Sequence, residues 1–196
     1  MKILGLCGNM GAGKDYVFDV IKEYSSFEVI RVAFADGVRD EVAEVFNLSV
    51  EQYNDAFRKP YSDGVRFVLQ QWGTEFRRAQ DDLYWVKRGI QRAYEIEGVY
   101  AEGLLVVFTD VRFANEAYAI NEVGGKVIRV EAPTEVRNAR LEGRDAPDHA
   151  SEVIDFPYDS VIDNGRDGEE PRFWSHDAGW LGLSQWNVVQ SVGSTK

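Results

Sequence analysis

The stretch Lys2-Ile3-Leu4-Gly5-Leu6-Cys7-Gly8-Asn9-Met10-Gly11-Ala12-Gly13-Lys14-Asp15 decides how this chain is read. Lys2 to Cys7 is a short apolar run that stops at glycine, the pattern of a buried strand. Gly13 to Tyr24 follows, with Val17, Val20 and Ile21 at helical spacing. Between strand and helix, Gly8 to Asp15 matches G-x-x-x-x-G-K, the phosphate-binding loop. Glycines let backbone N–H groups turn inward around an anion. The helix that follows aims its positive dipole end at the same place. Lys14 can reach the outer phosphates of a nucleoside triphosphate and offset the charge that develops during transfer. Gly8, Asn9, Met10, Gly11, Ala12, Gly13, Lys14 and Asp15 are therefore the candidate ATP site. Asp15 stands where Ser or Thr is usual. Its carboxylate can hold Mg²⁺ directly or through water, while adding negative charge near the phosphates.

Working outward, Val29 to Phe34 (VIRVAF) reads as a second strand, Leu104 to Thr109 (LLVVFT) as a third and Lys126 to Val130 as a fourth. Ser160 to Ile162 is a short fifth. Helices are expected at Val38–Phe46, Val50–Phe57, Val65–Ala79, Asp82–Ile96, Asn115–Val123 and Thr134–Glu142. Apolar strands alternating with helices predict a five-stranded parallel sheet covered on both faces, an α/β three-layer sandwich. Residues 1–168 form the expected domain, with a lid around 133–150. Residues 169–196 are an aromatic tail with no clear periodicity and no functional reading.

Composition bounds the function. The 196 residues carry a net charge of −11, with a pI near 4.7. That field disfavours nucleic acid as a main partner. No apolar run reaches the roughly 18 residues of a membrane span, and Met1 to Cys7 is too short for a signal peptide. A cytoplasmic protein is expected, in a host cytoplasm if phage-encoded. One cysteine, Cys7, and two histidines, His149 and His176, exclude an internal disulfide and the usual zinc sites.

In so acidic a chain the basic residues are informative. Arg137, Arg140 and Arg144 are three and four apart, so a helix puts them on one face. They suit a lid closing over phosphates, although charged helix faces are often only solvated. Asp110 ends the third strand, where P-loop enzymes place the carboxylate that orients hydrated Mg²⁺; the plainer reading is a helix cap. Arg112 lies two residues on and could meet an acceptor phosphate or pair with Asp110. Trp72 could stack on a base beside Arg77 and Arg78, or could be core.

Taken in order, GNMGAGKD, VAFAD at Val32–Asp36, LQQWGTEFRR at Leu69–Arg78, TDVRFANEA at Thr109–Ala117, GGKVIRV at Gly124–Val130, HASE at His149–Glu152 and VIDNG at Val161–Gly165 resemble the phage-type deoxynucleoside monophosphate kinases. The resemblance covers about residues 1–168. It implies the P-loop kinase fold and transfer of the γ-phosphate of ATP, with Mg²⁺, to a deoxynucleoside monophosphate. It implies further that Gly11 to Asp15 bind the ATP phosphates, that Asp36, Arg39, Arg78 and Arg112 lie on the acceptor side, that Arg137 and Arg140 belong to the lid, and that Asp163 and Asn164 lie near the adenine. Asp15 fits it, since the G-K-D loop occurs in that family. Gly37-Val38-Arg39, where Pro-Leu-Lys is common, and Tyr16, where Thr is common, depart from it. A homodimer is compatible with it. Two alternatives stay open: another small-molecule P-loop kinase, resembling dephospho-coenzyme A kinase, and a non-catalytic nucleotide-binding module. No Asn-Lys-x-Asp loop of guanine-nucleotide switches is present.

Overall fold

The computed structural model describes residues 1–58, 61–100, 103–141, 154–165, 171–183 and 188–189. Strand β1 (Lys2–Cys7) leads through the glycine-rich loop into helix α1 (Lys14–Tyr24). Strand β2 (Glu28–Val32) is followed by α2 (Phe34–Val45), α3 (Val50–Ala56), α4 (Asp63–Gln70), a π-helical segment (Gln71–Arg78) and α5 (Tyr84–Glu97). Next come β3 (Leu104–Val111), α6 (Ala114–Glu122), β4 (Lys126–Glu131), α7 (Thr134–Arg140) and β5 (Ser160–Asp163). The five strands form one parallel sheet in the order β2-β3-β1-β4-β5. The P-loop kinase fold read from the sequence is the fold observed.

Each strand sends alternate residues to opposite faces, and both faces are covered. Leu4, Leu6, Leu105, Val107, Ile128 and Val130 pack against Val17, Val20 and Ile21 of α1. Ile3, Cys7, Val106, Phe108 and Val127 face the other way, against Phe34 of α2, Ala93 of α5 and Ala117 and Ile120 of α6. That is why the strands read as continuous apolar runs. It also fixes the loop, since the loop leaves the sheet at the C-terminal end of its central strand.

One expectation needs correction. The helix expected over Val65–Ala79 is α-helical only to Gln70 and widens to π from Gln71 to Arg78. In an α-helix residues five apart diverge by about 140°; the π turn brings them onto one face. Trp72 and Arg77 thereby both reach Glu41 of α2. The segment beyond Gly165, which carries no functional reading from sequence, is described at residues 171–183 and 188–189. It contains β6 (Phe173–Trp174), α8 (Ser175–Leu181) and β7 (Val188–Val189). Phe173, Ala178, Leu181 and Leu183 are buried in the same cluster as β1 and α1. Lys2 Nζ donates to the Trp180 carbonyl at 2.7 Å, and Ser25 Oγ to that of Leu181 at 2.6 Å. Arg144, the segment His149–Glu152 and residues 142–150 of the expected lid lie outside the described residues.

Candidate active site

The loop has the backbone its glycines allow. Gly11 and Gly13 are left-handed, with φ of 79° and 87°, and Gly13 is the residue from which α1 starts. A side chain is excluded at both for a second reason. A Cβ at Gly11 would lie 2.8 Å from the Arg137 carbonyl oxygen, and one at Gly13 would lie 2.2 Å from Asn164 Nδ2. Helix α7 and the turn after β5 are thus pressed onto the loop. Lys14 folds back along it, with Nζ 2.6 Å from the Gly8 carbonyl oxygen and 3.4 Å from that of Asn9.

Arginines meet the loop from α7. Arg137 donates to the Met10 carbonyl at 3.5 Å and to Thr134 Oγ1 at 3.2 Å. Arg140 bridges the carbonyls of Gly11, at 3.4 Å, and Asn164, at 3.1 Å. The buried Asn164 completes the clasp by donating from Nδ2 to the Ala12 carbonyl at 2.8 Å. Asp163 accepts from the Gly165 N–H at 2.9 Å. The structure therefore gathers Gly8–Asp15, Arg137, Arg140 and Asn164 around one loop, from three separate parts of the sequence.

Beside the loop is a cavity of about 460 Å³, lined by Asp15, Phe18, Asp19, Arg31, Arg39, Tyr53, Asn54, Phe57 and Tyr61. Arg39 and Arg31 are held on its wall by Asp36. Asp36 Oδ1 pairs with Arg39 and lies 3.7 Å from Arg31, while Oδ2 accepts the Ala33 N–H at 2.9 Å. Arg39 also donates to the Tyr61 hydroxyl at 2.9 Å. Tyr53 and Phe57 meet edge to face at 4.8 Å, and the Tyr53 hydroxyl donates to Asp40 at 2.9 Å. Burial and the neighbouring Asp40 raise the Tyr53 phenol above its usual range.

The remaining sequence candidates sit elsewhere. Asp110 accepts the N–H groups of Phe34 and Ala35, at 2.8 and 2.9 Å, and so anchors the start of α2 to the end of β3. Trp72 packs beside Val38, Val42 and Trp85, and its indole N–H donates to Glu41 at 3.1 Å. Arg78 pairs with the buried Glu116 and lies 4.1 Å from the centre of the Phe113 ring. Glu116 also accepts the N–H groups of Arg112 and Phe113, at 2.8 and 3.2 Å. Burial pushes the Glu116 carboxyl up to about 7, against the pull of Arg78 and with the charge of Asp110 adding to the push. Trp72, Arg78, Asp110 and Arg112 do not line the cavity.

Arg31, Glu41 and Asn54 escaped the sequence reading. Arg31 is a charge inside an apolar strand, a signal that was present. Glu41 lies at i+3 from Val38 and i−1 from Val42, on the apolar face of α2, which also marks it. It receives Trp72, Arg77, the Tyr84 hydroxyl at 2.7 Å and Arg88 at 3.3 Å. Burial raises its carboxyl, but those donors outweigh burial and leave it below the ordinary 4.5. Asn54, on a short polar helix, carried no sequence signal.

The donor set fits ATP with a hard cation. The left-handed loop glycines, the N-terminus of α1 and Lys14 suit phosphates, and Asp15 sits where loop and cavity meet. Among the described residues no group of three or more His, Cys, Asp or Glu could hold a metal by itself. A cation here would be held largely by phosphate oxygens and water, as Mg²⁺ commonly is.

Fold and loop together define a nucleotide-binding kinase of the P-loop class. A protein of Acanthamoeba polyphaga mimivirus named "Putative deoxynucleotide monophosphate kinase" is 31% identical over 149 residues, 68% of this chain and 75% of that protein. The chain belongs to the deoxynucleotide monophosphate kinase family. No family model matches it. Among solved structures, TT1252 from Thermus thermophilus aligns over 85% of this chain and 90% of its own, at 18% identity and a TM-score of 0.47. A gluconokinase from Sinorhizobium meliloti 1021 aligns over 84% and 83%, at 12% identity and a TM-score of 0.40. No helix among the described residues is long and apolar enough to cross a membrane.

Proposed function

We propose that the protein transfers the γ-phosphoryl group of ATP to a deoxynucleoside monophosphate, giving ADP and the deoxynucleoside diphosphate. The observation that carries this reading is the cavity at Asp15. It adjoins the phosphate loop and joins two arginines and an aromatic wall to two aspartates of α1, of which Asp15 is the one at the loop. An acceptor with an anionic end and a flat apolar end matches that lining. The mimivirus relative, by its name, acts on the same class of substrate.

In this reading the loop N–H groups and Lys14 bind the β- and γ-phosphates of ATP. An oxygen of the acceptor phosphate attacks the γ-phosphorus, and the bond from that phosphorus to the β–γ bridging oxygen breaks. No protein group forms a covalent bond, because alignment and cations suffice. Mg²⁺, when bound with ATP, would offset charge on the phosphates, with Asp15 the carboxylate placed to hold it. Arg137 and Arg140, already seated on the loop, supply further positive charge.

The test is ADP release with Mg-ATP and each of the four common deoxynucleoside monophosphates, with dephospho-coenzyme A alongside. Stimulation by at least one deoxynucleotide is expected. Stimulation by dephospho-coenzyme A alone would reassign the acceptor, and no stimulation would remove the kinase reading. Lys14→Ala should lower turnover by about a hundredfold or more while leaving the thermal midpoint unchanged. Full activity in that variant would take Lys14 out of the mechanism.

A further inference from the structure

We infer that the cavity at Asp15 holds its acceptor in one direction, with the phosphate against Arg31 and Arg39 and the base against α3, where Asn54 sets base preference. This rests on the deoxynucleotide reading and adds to it two residues, Arg31 and Asn54, and a polarity.

The phosphate end follows from charge. Arg31 leaves the edge strand β2 and Arg39 leaves the second turn of α2. Asp36, between them in sequence, contacts both guanidinium groups and is itself fixed by the Ala33 N–H. One carboxylate shared by two cations leaves that group with one positive charge, set against the carboxylates of Asp15 and Asp19 of α1 that also line the cavity. It also sets two planar forks side by side on the cavity wall, the arrangement that suits a phosphate. Asp36 is therefore a positioning residue, not a contact to the acceptor.

The base end follows from shape and polarity. Tyr53 has its hydroxyl tied to Asp40, so the side chain is anchored and contributes mainly its ring. Phe57 packs on it edge to face and is backed by the cluster around Val38, Val42 and Trp85. These two rings give an apolar surface that tolerates any base. Asn54 is on the same helix, lines the same cavity and carries both a donor and an acceptor. An amide at the edge of an aromatic wall is what discriminates one base edge from another. Apolar contact alone discriminates weakly, whereas a hydrogen bond lost to the wrong partner is costly.

The two ends make different predictions. Steady-state kinetics with Mg-ATP and all four deoxynucleoside monophosphates is run on the native protein, Arg31→Ala and Asn54→Ala. Direct calorimetric titration with each monophosphate is run beside it. Arg31→Ala should raise KM roughly tenfold for every acceptor alike, with KM for ATP unchanged, and Arg31→Lys should restore part of the loss. Asn54→Ala should change the ratio of kcat/KM between the best and worst acceptors by roughly tenfold. Both variants should keep the native thermal midpoint, since Asn54 is exposed and Arg31 lies on an edge strand. If the native protein turns over deoxynucleotides and the Asn54→Ala ratios equal its own, this inference fails alone. It fails equally if Arg31→Ala acts on one base only. If the native protein neither binds nor turns over any of the four, the inference and the proposed function fall together.

Discussion

Glu41 and Glu116 are buried carboxylates that gather donors from other elements, away from the residues lining the cavity. Glu116 is almost wholly buried, and its two oxygens serve Arg78 and two backbone N–H groups at the start of α6. Burial raises its carboxyl from 4.5 to about 7, so folding favours the protonated form. Below pH 4.5 the group is protonated in both states and its contribution is full. As pH rises through the window from 4.5 to about 7, the unfolded chain ionises more easily and that contribution is lost. Urea melts should therefore show the native protein losing stability relative to Glu116→Gln across that window, with a constant difference above it. A difference that stays flat from roughly pH 4 to pH 8 would show that Glu116 titrates alike in the folded and the unfolded chain. Legibility at this scale was uneven. Gly8 to Asp15 could be read because the anion-binding loop is local: the residues that build it are consecutive. Asp110 could not be read fully, because the partners of its carboxylate, Phe34 and Ala35, are 76 and 75 residues away. Glu41 had a local mark, a charge on an apolar helix face, but its four partners lie on two other elements.

Among elements, α5 packs closely on both α2 and the sheet. Gly89, in its middle, is buried, and a Cβ there would lie 2.6 Å from the Phe34 ring and 3.2 Å from that of Phe108. Those rings are themselves stacked at 4.6 Å. Alanine favours a helix over glycine by about 1 kcal/mol, so propensity alone predicts that Gly89→Ala stabilises. The packing predicts the reverse, a loss of about 1–3 kcal/mol from overfilling. Urea denaturation of the two proteins decides it, and an increase in midpoint would show that the rings can move aside. The same contrast explains the misread π segment. Periodicity locates an amphipathic helix, but whether its turn is α or π depends on a partner. Glu41 accepts from Trp72 and Arg77 together, and Trp85 Nε1 donates to the Gly73 carbonyl at 2.9 Å. Strand positions were easier, since burial on both faces needs only an unbroken apolar run.

Across the whole molecule, an acidic chain concentrates its useful positive charge in two places, Arg137 with Arg140 over the loop and Arg31 with Arg39 in the cavity. The segment from Phe173 to Leu183 stabilises the first strand and helix from the far end of the sequence. Its lack of periodicity hid this, because short pieces with Gly and Ser between them dock by single side chains. Burying Phe173, Leu181 and Leu183 contributes on the order of 5 kcal/mol or more, against typical total stabilities of about 5–15 kcal/mol. A chain ended after Gly165 should therefore lose its cooperative urea transition or shift it steeply downward. An unchanged transition would make the segment an ornament on a self-sufficient sheet. The docking of α8 on β1 and α1 also sets an order of events during synthesis. At about 5–20 residues per second, the ribosome adds the covering segment on the order of ten seconds or longer after the strand it covers. Even once β5 has added Ile162 to their cluster, Leu4, Leu6 and Ile21 still lack this outer wall, so the nascent chain passes through a stage in which the support of its own phosphate loop is incompletely covered.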